Sequence, residues 1–314
     1  MLNGLSPLAV ALLLVAGVAL DLLLGETRRW HPLVGFGRLA SLIERRLNRG
    51  GARLLRGAAA WLLAVLPLSL LSAYLADIAG LWLHALLLYF CIGLRSLRDH
   101  TLPIYLALRA GDLARARALT ARIVSRDTAG AQEPDLAKAS AESLLENGND
   151  AVFGTLFWFL VAGGPGALLF RLANTLDAMW GYRNERFNLF GRVAARIDDV
   201  MNYLPARLTA LSYVLLAGAG RARAWHCWRA QAGAWSSPNA GPVMASGAGA
   251  LGVSLGGAAM YDGVVEQRPA LGAGPAATAS DILRAWRLVL KTALLWTAVT
   301  CMAAVLLTLG ASHA

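Results

Sequence analysis

Between residues 122 and 207 the chain gathers carboxylates, amides and guanidiniums at helical spacing, inside a sequence that is otherwise mostly apolar. Glu142, Glu146 and Asp150 recur at every fourth position, so a helix sets three carboxylates on one stripe with Asn147 and Asn149 at its end. Like charges so arranged repel, and two things could neutralise them. One is a hard cation such as Mg²⁺, which is held by one or two carboxylates in company with substrate phosphates. The other is pairing with arginines such as Arg122 or Arg126 on a solvated helix face. The apolar run that begins at Ala151 sets these acids at a membrane boundary, which favours a site.

A second constellation is Arg196, Asp198, Asp199 and Asn202. On a helix, Arg196, Asp199 and Asn202 follow one edge at spacings of three, and Asp198 and Asn202 lie one turn apart. Adjacent aspartates could hold a metal or orient an amine, and Arg196 could grip a phosphate or carboxylate bidentately. An intrahelical Arg–Asp pair on a membrane-surface helix is the plainer alternative. A third set, Asn174 and Asp177, follows an apolar run, where a buried polar pair is costly without a partner or ligand. The segment Gly181-Tyr182-Arg183-Asn184-Glu185-Arg186 comes next, and helix capping accounts for one of these residues but not for all.

The elements that must position these groups follow from composition. The 314 residues are 57% hydrophobic and only 15% charged, which marks an integral membrane protein. Spans are expected at about 5–24, 57–76, 78–94 and 292–312. The apolar run 151–170 is interrupted by Gly163-Gly164-Pro165-Gly166, which suits a re-entrant helical hairpin, and 208–220 is short enough to be a buried or tilted helix. The fold class expected is therefore all-α. It is a single membrane-embedded domain, 1–314, with helical polar segments at 25–56, 95–150, 171–207 and 221–291. Arg109 to Val124 has helical periodicity, with Asp112 as its N-cap. Arginines 28, 29, 38, 45, 46, 49, 53 and 56 follow the first span, and by the positive-inside rule they hold that loop in the cytoplasm. Arg95, Arg98, Arg284, Arg287 and Lys291 place the later polar segments on the same side.

Several function classes are excluded or weakened. The net charge of +10 is scattered among spans, so it anchors helices and meets anionic lipid rather than nucleic acid. No Gly-x-x-x-x-Gly-Lys-Ser/Thr loop occurs, so a nucleotide would be held by arginines, backbone amides and a metal. Cys91, Cys227 and Cys301 have no disulfide or zinc spacing. Gly247-Ala248-Gly249-Ala250-Leu251-Gly252 matches a dinucleotide fingerprint but lacks a βαβ unit, and close helix packing is the better use of it. His31 and His100 are single histidines that could contact substrate or make a structural hydrogen bond.

Read together and in order, the motifs resemble one family. They are Asp21-x-x-x-Gly25 with His31-Pro32, Gly111-Asp112-Leu113, Arg126-Asp127-Thr128, Glu142-Ser143 with Glu146-Asn147 and Asp150, and Asn174-Thr175-Leu176-Asp177-x-Met179. After these come Arg196-x-Asp198-Asp199-x-x-Asn202, Pro205-Ala206-Arg207 and Ser237-Pro238-Asn239. This series is similar to the CobD/CbiB family of cobalamin biosynthesis. The chain departs from the family's usual text at Gly25-Glu26-Thr27, where Gly-Asp-Pro is expected, and at Pro242-Val243-Met244, where Trp-Pro-Glu is expected. No carboxylate role therefore carries over to position 244.

The resemblance implies an adenosylcobinamide-phosphate synthase. Such an enzyme is an ATP- and Mg²⁺-dependent amide ligase that joins aminopropanol phosphate, or aminopropanol, to the free propionate carboxyl of adenosylcobyric acid. Amide formation in water is uphill, so nucleotide energy is expected, most simply through an acyl phosphate. On this reading Glu142, Glu146 and Asp150 form the metal side, and Asp198, Asp199 and Glu146 are the catalytic acids. Arg126, Asp127, Thr128, Asn147, Asn174, Asp177, Arg183, Arg196, Asn202, Arg207, Ser237, Asn239 and His31 bind substrate or phosphate. No tightly bound cofactor is expected. The expected setting is the bacterial inner membrane, multi-pass, with the site facing the cytoplasm and the membrane-bound cobalamin synthase of the same pathway as a partner. A distantly similar AmpE-like membrane sensor without ligase activity is the alternative.

Overall fold

A computed structural model describes residues 4–27 and 31–312. Arg28 and Arg29, counted above for orientation, lie outside the described residues. In chain order the helices are α1 (Pro7–Leu24), α2 (Pro32–Leu47), α3 (Arg53–Ala79), α4 (Leu81–Cys91), α5 (Leu94–Arg109), α6 (Leu113–Thr120), α7 (Glu133–Gly148) and α8 (Gly154–Trp180). They continue with α9 (Arg192–Leu216), α10 (Arg221–Gln231), α11 (Ala240–Leu251) and α12 (Ala279–Ser312). Two antiparallel strands, β1 (Ser254–Tyr261) and β2 (Val264–Gly272), stand between α11 and α12.

Among the described residues, five helical stretches are long and apolar enough to cross a membrane: Pro7–Leu24, Arg53–Ala79, Leu81–Arg109, Glu133–Trp180 and Ala279–Ala311. The protein is thus a multi-pass helical membrane protein, as its composition requires. Boundaries shift where the sequence breaks the helix. The expected span 78–94 begins instead at Leu81, because Gly80, with φ 79°, ends α3 by donating its N–H to the Ala76 carbonyl. The run 208–220 is not a separate helix: its residues to Leu216 are the last turns of α9, which begins at Arg192 and carries the Asp198 set, and Gly218–Gly220 form a short 3-10 turn after it.

The described chain divides into two compact units. The first comprises Met1–Gly93, Asp150–Asn202 and Thr297–Ala314; the second comprises Leu94–Asn149 and Tyr203–Trp296. In the first unit, Phe36, Ala40, Trp61, Phe170, Leu176, Trp180 and Phe190 close a hydrophobic core between α2, α3 and α8. Helix α8 is broken where glycines and a proline were expected to break it. Ala162 and Gly163 leave helical angles, and the Gly164 N–H that starts the next half donates to His84 Nδ1 at 3.0 Å. A side chain thereby satisfies one of the donors that any helix start leaves open.

In the second unit, α6 begins where Asp112 accepts the Arg115 N–H at 2.9 Å, the cap expected from the sequence, but it ends at Thr120 rather than Val124. Helix α7 starts with Asp135 accepting the Gln132 N–H at 3.1 Å, with Pro134 in the first turn, where a missing donor costs nothing. Helices α10 and α11 pack so closely that a Cβ on Gly249 would lie 2.7 Å from the Ala224 Cα, so the glycine-rich text from Gly247 serves helix contact. The β1–β2 hairpin is a correction to a purely helical reading of 221–291. β1 is rich in glycine and alanine, and the alternation that signals a half-buried strand is weak in both strands.

Candidate functional site

The expected site residues fall into two constellations, one in each unit. In the first, Asp198 on α9 is 7% exposed and holds both of its neighbours. Asn174 on α8 donates its Nδ2–H to Asp198 Oδ1 at 3.2 Å, and Asn202, one turn along α9, donates to Oδ1 and Oδ2 at 3.2 and 3.1 Å. Burial pushes the Asp198 carboxyl up to about 7, the nearby Asp150 adds to the rise, and the two amides oppose it. Asp177 lies within electrostatic range of Asp198 and Asp199. Asp199 is half-buried and also shifted upward by burial, against the pull of Arg196 and Arg183. Asn174 and Asp177, and Asp198, Asp199 and Asn202, read from the sequence as two separate sets, come together. Arg183 and Arg196 border them.

Arg171, which sequence reasoning passed over, belongs to this group. Its guanidinium lies within electrostatic range of Asp150, Asp198 and Glu26, its Nη1 donates to Asn174 Oδ1 at 3.3 Å, and its Nε is buried without a hydrogen-bond partner. The available signal was a cation inside an apolar helix. His31 serves the chain itself: its Nδ1 accepts the Leu33 N–H at 3.2 Å and caps α2.

The second constellation surrounds Glu142, a buried residue of α7. Arg126 Nη2 donates to Glu142 Oε2, Arg268 of β2 donates Nη1 to Oε2 at 3.1 Å and Nη2 to Oε1 at 3.3 Å, and the Gly256 N–H of β1 donates to Oε1 at 2.7 Å. Gly256 has φ 71°, and a Cβ there would lie 2.1 Å from the Pro269 carbonyl oxygen, so only glycine brings this N–H to the carboxylate. Glu142 is therefore an anchor between α7 and the hairpin. The three-carboxylate metal stripe is corrected on this point. Glu142 is neutralised by guanidiniums, Asp150 belongs to the first unit, and among the described residues no group of three or more His, Cys, Asp or Glu is arranged to hold a metal ion.

Asp127 and Thr128 are likewise used by the fold. The Asp127 carboxylate accepts the Gly263 N–H at 2.8 Å while its own N–H donates to the Met260 carbonyl, and the Thr128 hydroxyl donates to the Arg117 carbonyl at 3.1 Å. Arg207 stacks on Tyr203, 3.6 Å from the ring centroid, and donates to Asn239 Oδ1 at 2.7 Å. Ser237 accepts the Asn239 and Ala240 N–H groups at the start of α11. These three expected residues thus form one linked cluster.

Beside Glu142 opens a cavity of about 430 Å³, walled by Ser125, Arg126, Glu146, Asn147, Trp235, Ser236, Met244, Tyr261 and Arg268, among others. Asn147 donates to the Ser143 carbonyl at 2.9 Å. Arg126 Nη1 is buried here and has no hydrogen-bond partner. Arg268, Trp235 and Tyr261 were not foreseen. The signal for Arg268 was its being the lone cation between Ser254 and Thr278. A magnesium ion accompanying phosphates needs only one or two protein carboxylates, and Glu146 on this wall is a donor of that kind.

Comparison with known proteins gives the arrangement a family. A family model described as CobD/Cbib protein matches residues 14–289. The chain is 55% identical over 313 residues to a protein of Chromobacterium violaceum named cobalamin biosynthesis protein CobD, covering 97% of this chain and 99% of that one. It is 56% identical over 287 residues to the protein of that name from Stutzerimonas stutzeri, covering 90% and 94%. It is also 41% identical over 205 residues to a Pyrococcus furiosus protein named as probable CobD, covering 63% and 70%. No solved structure matches. This chain, a helical membrane protein with its polar residues gathered around Asp198 and Glu142, belongs to the CobD/CbiB family of cobalamin biosynthesis proteins.

Proposed function

We propose that the protein is an ATP-dependent amide ligase that joins aminopropanol phosphate, or aminopropanol, to the free propionate carboxyl of adenosylcobyric acid. The observation that carries this reading is the Asp198 carboxyl, buried, cradled by two amides and poised near neutrality. An alkylammonium must lose a proton before its nitrogen can attack, and a carboxylate with a pKa raised toward the working pH is the kind of base that accepts it. Asn174 and Asn202 fix the orientation of that carboxylate while their donated hydrogen bonds support its ionised form. Asp177 and Asp199 add negative charge around it and favour a cationic amine over a neutral one.

The nucleotide supplies the free energy of activation of the carboxyl, and Mg²⁺ supplies charge neutralisation among its phosphates. Glu146 and Asn147 would hold the metal side and Arg126 the phosphate side. Arg183 and Arg196, exposed beside Asp199, are placed to meet a phosphorylated amine or the peripheral carboxamides of a corrinoid. The cytoplasmic side of a bacterial inner membrane, suggested by the arginine distribution, is where nucleotide is at hand. A large amphipathic corrinoid suits a bilayer surface, and the membrane-bound cobalamin synthase of the pathway is a natural neighbour.

The test is direct. Purified protein incubated with adenosylcobyric acid, aminopropanol phosphate and MgATP should yield the amide, seen as a product whose mass is the sum of acid and amine less one water. No product should form without nucleotide. Corrinoid binding with no turnover under any of these conditions would refute the ligase reading and favour a sensor.

A further inference from the structure

The cavity beside Glu142 holds Arg268, Trp235 and Tyr261, to which the preceding assignments give no role. Its one carboxylate–guanidinium cluster holds two arginines in fixed positions. Arg126 is tied through Nη2 to Glu142, and Arg268 is tied through Nη1 and Nη2 to Glu142 and through Nε to the Gly257 carbonyl at 3.1 Å. A guanidinium has five N–H donors, so each retains donors beyond these bonds. One of them, on Arg126 Nη1, is buried and unpartnered at the cavity wall. A buried donor left unsatisfied is costly, and a ligand oxygen is a direct way to satisfy it.

The rest of the wall narrows the ligand. Arg268 lies over the Trp235 ring, 5.4 Å from its centroid, so an indole is held immediately beside the cationic side, and Tyr261 of β1 adds a second aromatic surface. Glu146 and Glu266 stand on the same wall as the arginines, which disfavours a bare polyanion and suits one that carries its own divalent cation. The volume, about 430 Å³, falls within the range of drug-sized ligands and far exceeds what a phosphate ion requires.

We propose that this cavity is the nucleoside triphosphate site, with Arg126 and Arg268 on the phosphates, Glu146 toward the accompanying cation, and Trp235 and Tyr261 against the base. Glu142 is the positioning residue that aims both guanidiniums. The assignment takes its purpose from the ligase reading, but binding can be tested apart from it.

The experiment uses the full chain in detergent with MgATP as the probe, measured by equilibrium binding of labelled nucleotide in the absence of corrinoid and amine. Saturable binding is expected. Arg268→Lys keeps a positive partner for Glu142 yet loses the planar fork, and should weaken binding about tenfold or more. Ser236→Trp, at an exposed position on the cavity wall that makes no bond to the arginines, should block it while leaving the thermal melt unchanged. Absence of saturable binding, or binding unaltered in both variants, would overturn the proposal. So would inorganic phosphate competing as well as ATP does, since that marks a site for a phosphate monoester. Wild-type nucleotide binding without amide formation would sink the ligase reading alone. Normal amide formation by Ser236→Trp would sink this site alone.

Discussion

A single carboxyl, that of Asp198, ties structure to chemistry. Its pKa in the fold, about 7, lies above the ordinary 3.8, so the native state binds a proton more tightly than the unfolded chain does. The sign follows: this group favours folding below about pH 4, and the contribution is lost as pH rises through the folded value. On the proposed reading catalysis needs the opposite form, because only the ionised carboxylate can take a proton from an ammonium. The amide-forming rate should therefore climb with pH through about 7, whereas thermal stability should fall over the same interval. Asp198→Asn separates the two. It should abolish turnover yet remove the buried charge, giving a melting temperature at about pH 8 equal to or above that of the parent. A variant melting well below the parent would show that Asp198 is a structural anion instead. Asp198 and Asn202 were legible as a pair because they lie one turn apart on a helix, whereas Asn174, 24 residues away on α8, was read as part of a separate set. Arg171 was not, since a lone arginine within an apolar helix reads as an isolated charge until the chain folds three acids toward it.

Helices were legible as elements and the hairpin was not. Runs such as Pro7–Leu24 announce themselves by apolar length, and the Gly163–Gly166 text announced the break in α8. By contrast β1 and β2 carry one local signal, the two-residue Asp262-Gly263 turn with φ 50° and 76°, too short beside a glycine- and alanine-rich β1 to announce a hairpin alone, and the groups that anchor the hairpin to α7 lie far apart in sequence. Glu142 lies 114 residues from Gly256 and 126 from Arg268. The same distance explains the misreading of Glu142 as a metal ligand, because spacing by four reports which face a carboxylate occupies and not who meets it there. An arginine pairing was the alternative, and Arg126 supplies half of it. Glu142→Gln should leave two buried guanidiniums without their anion and cost on the order of 3–5 kcal/mol. Limited proteolysis should then cut the hairpin between Ala258 and Gln267 faster than in the parent, at any Mg²⁺ concentration. A variant with parental proteolysis whose activity returns at high Mg²⁺ would restore Glu142 to the metal side.

At the scale of the whole molecule, polar side chains gather around Asp198 and around Glu142, while apolar helices supply the membrane setting. The family and the membrane class follow from the residues and from close relatives named for cobalamin biosynthesis; the reaction itself is the claim that most needs measurement. Adenosylcobyric acid carrying heavy oxygen in its free propionate carboxyl, turned over with aminopropanol phosphate and MgATP, tests it most directly. If the nucleotide activates that carboxyl, one labelled oxygen leaves with the phosphate for each amide formed, and the amide keeps the other. Amide formed with no label in the released phosphate would contradict the account.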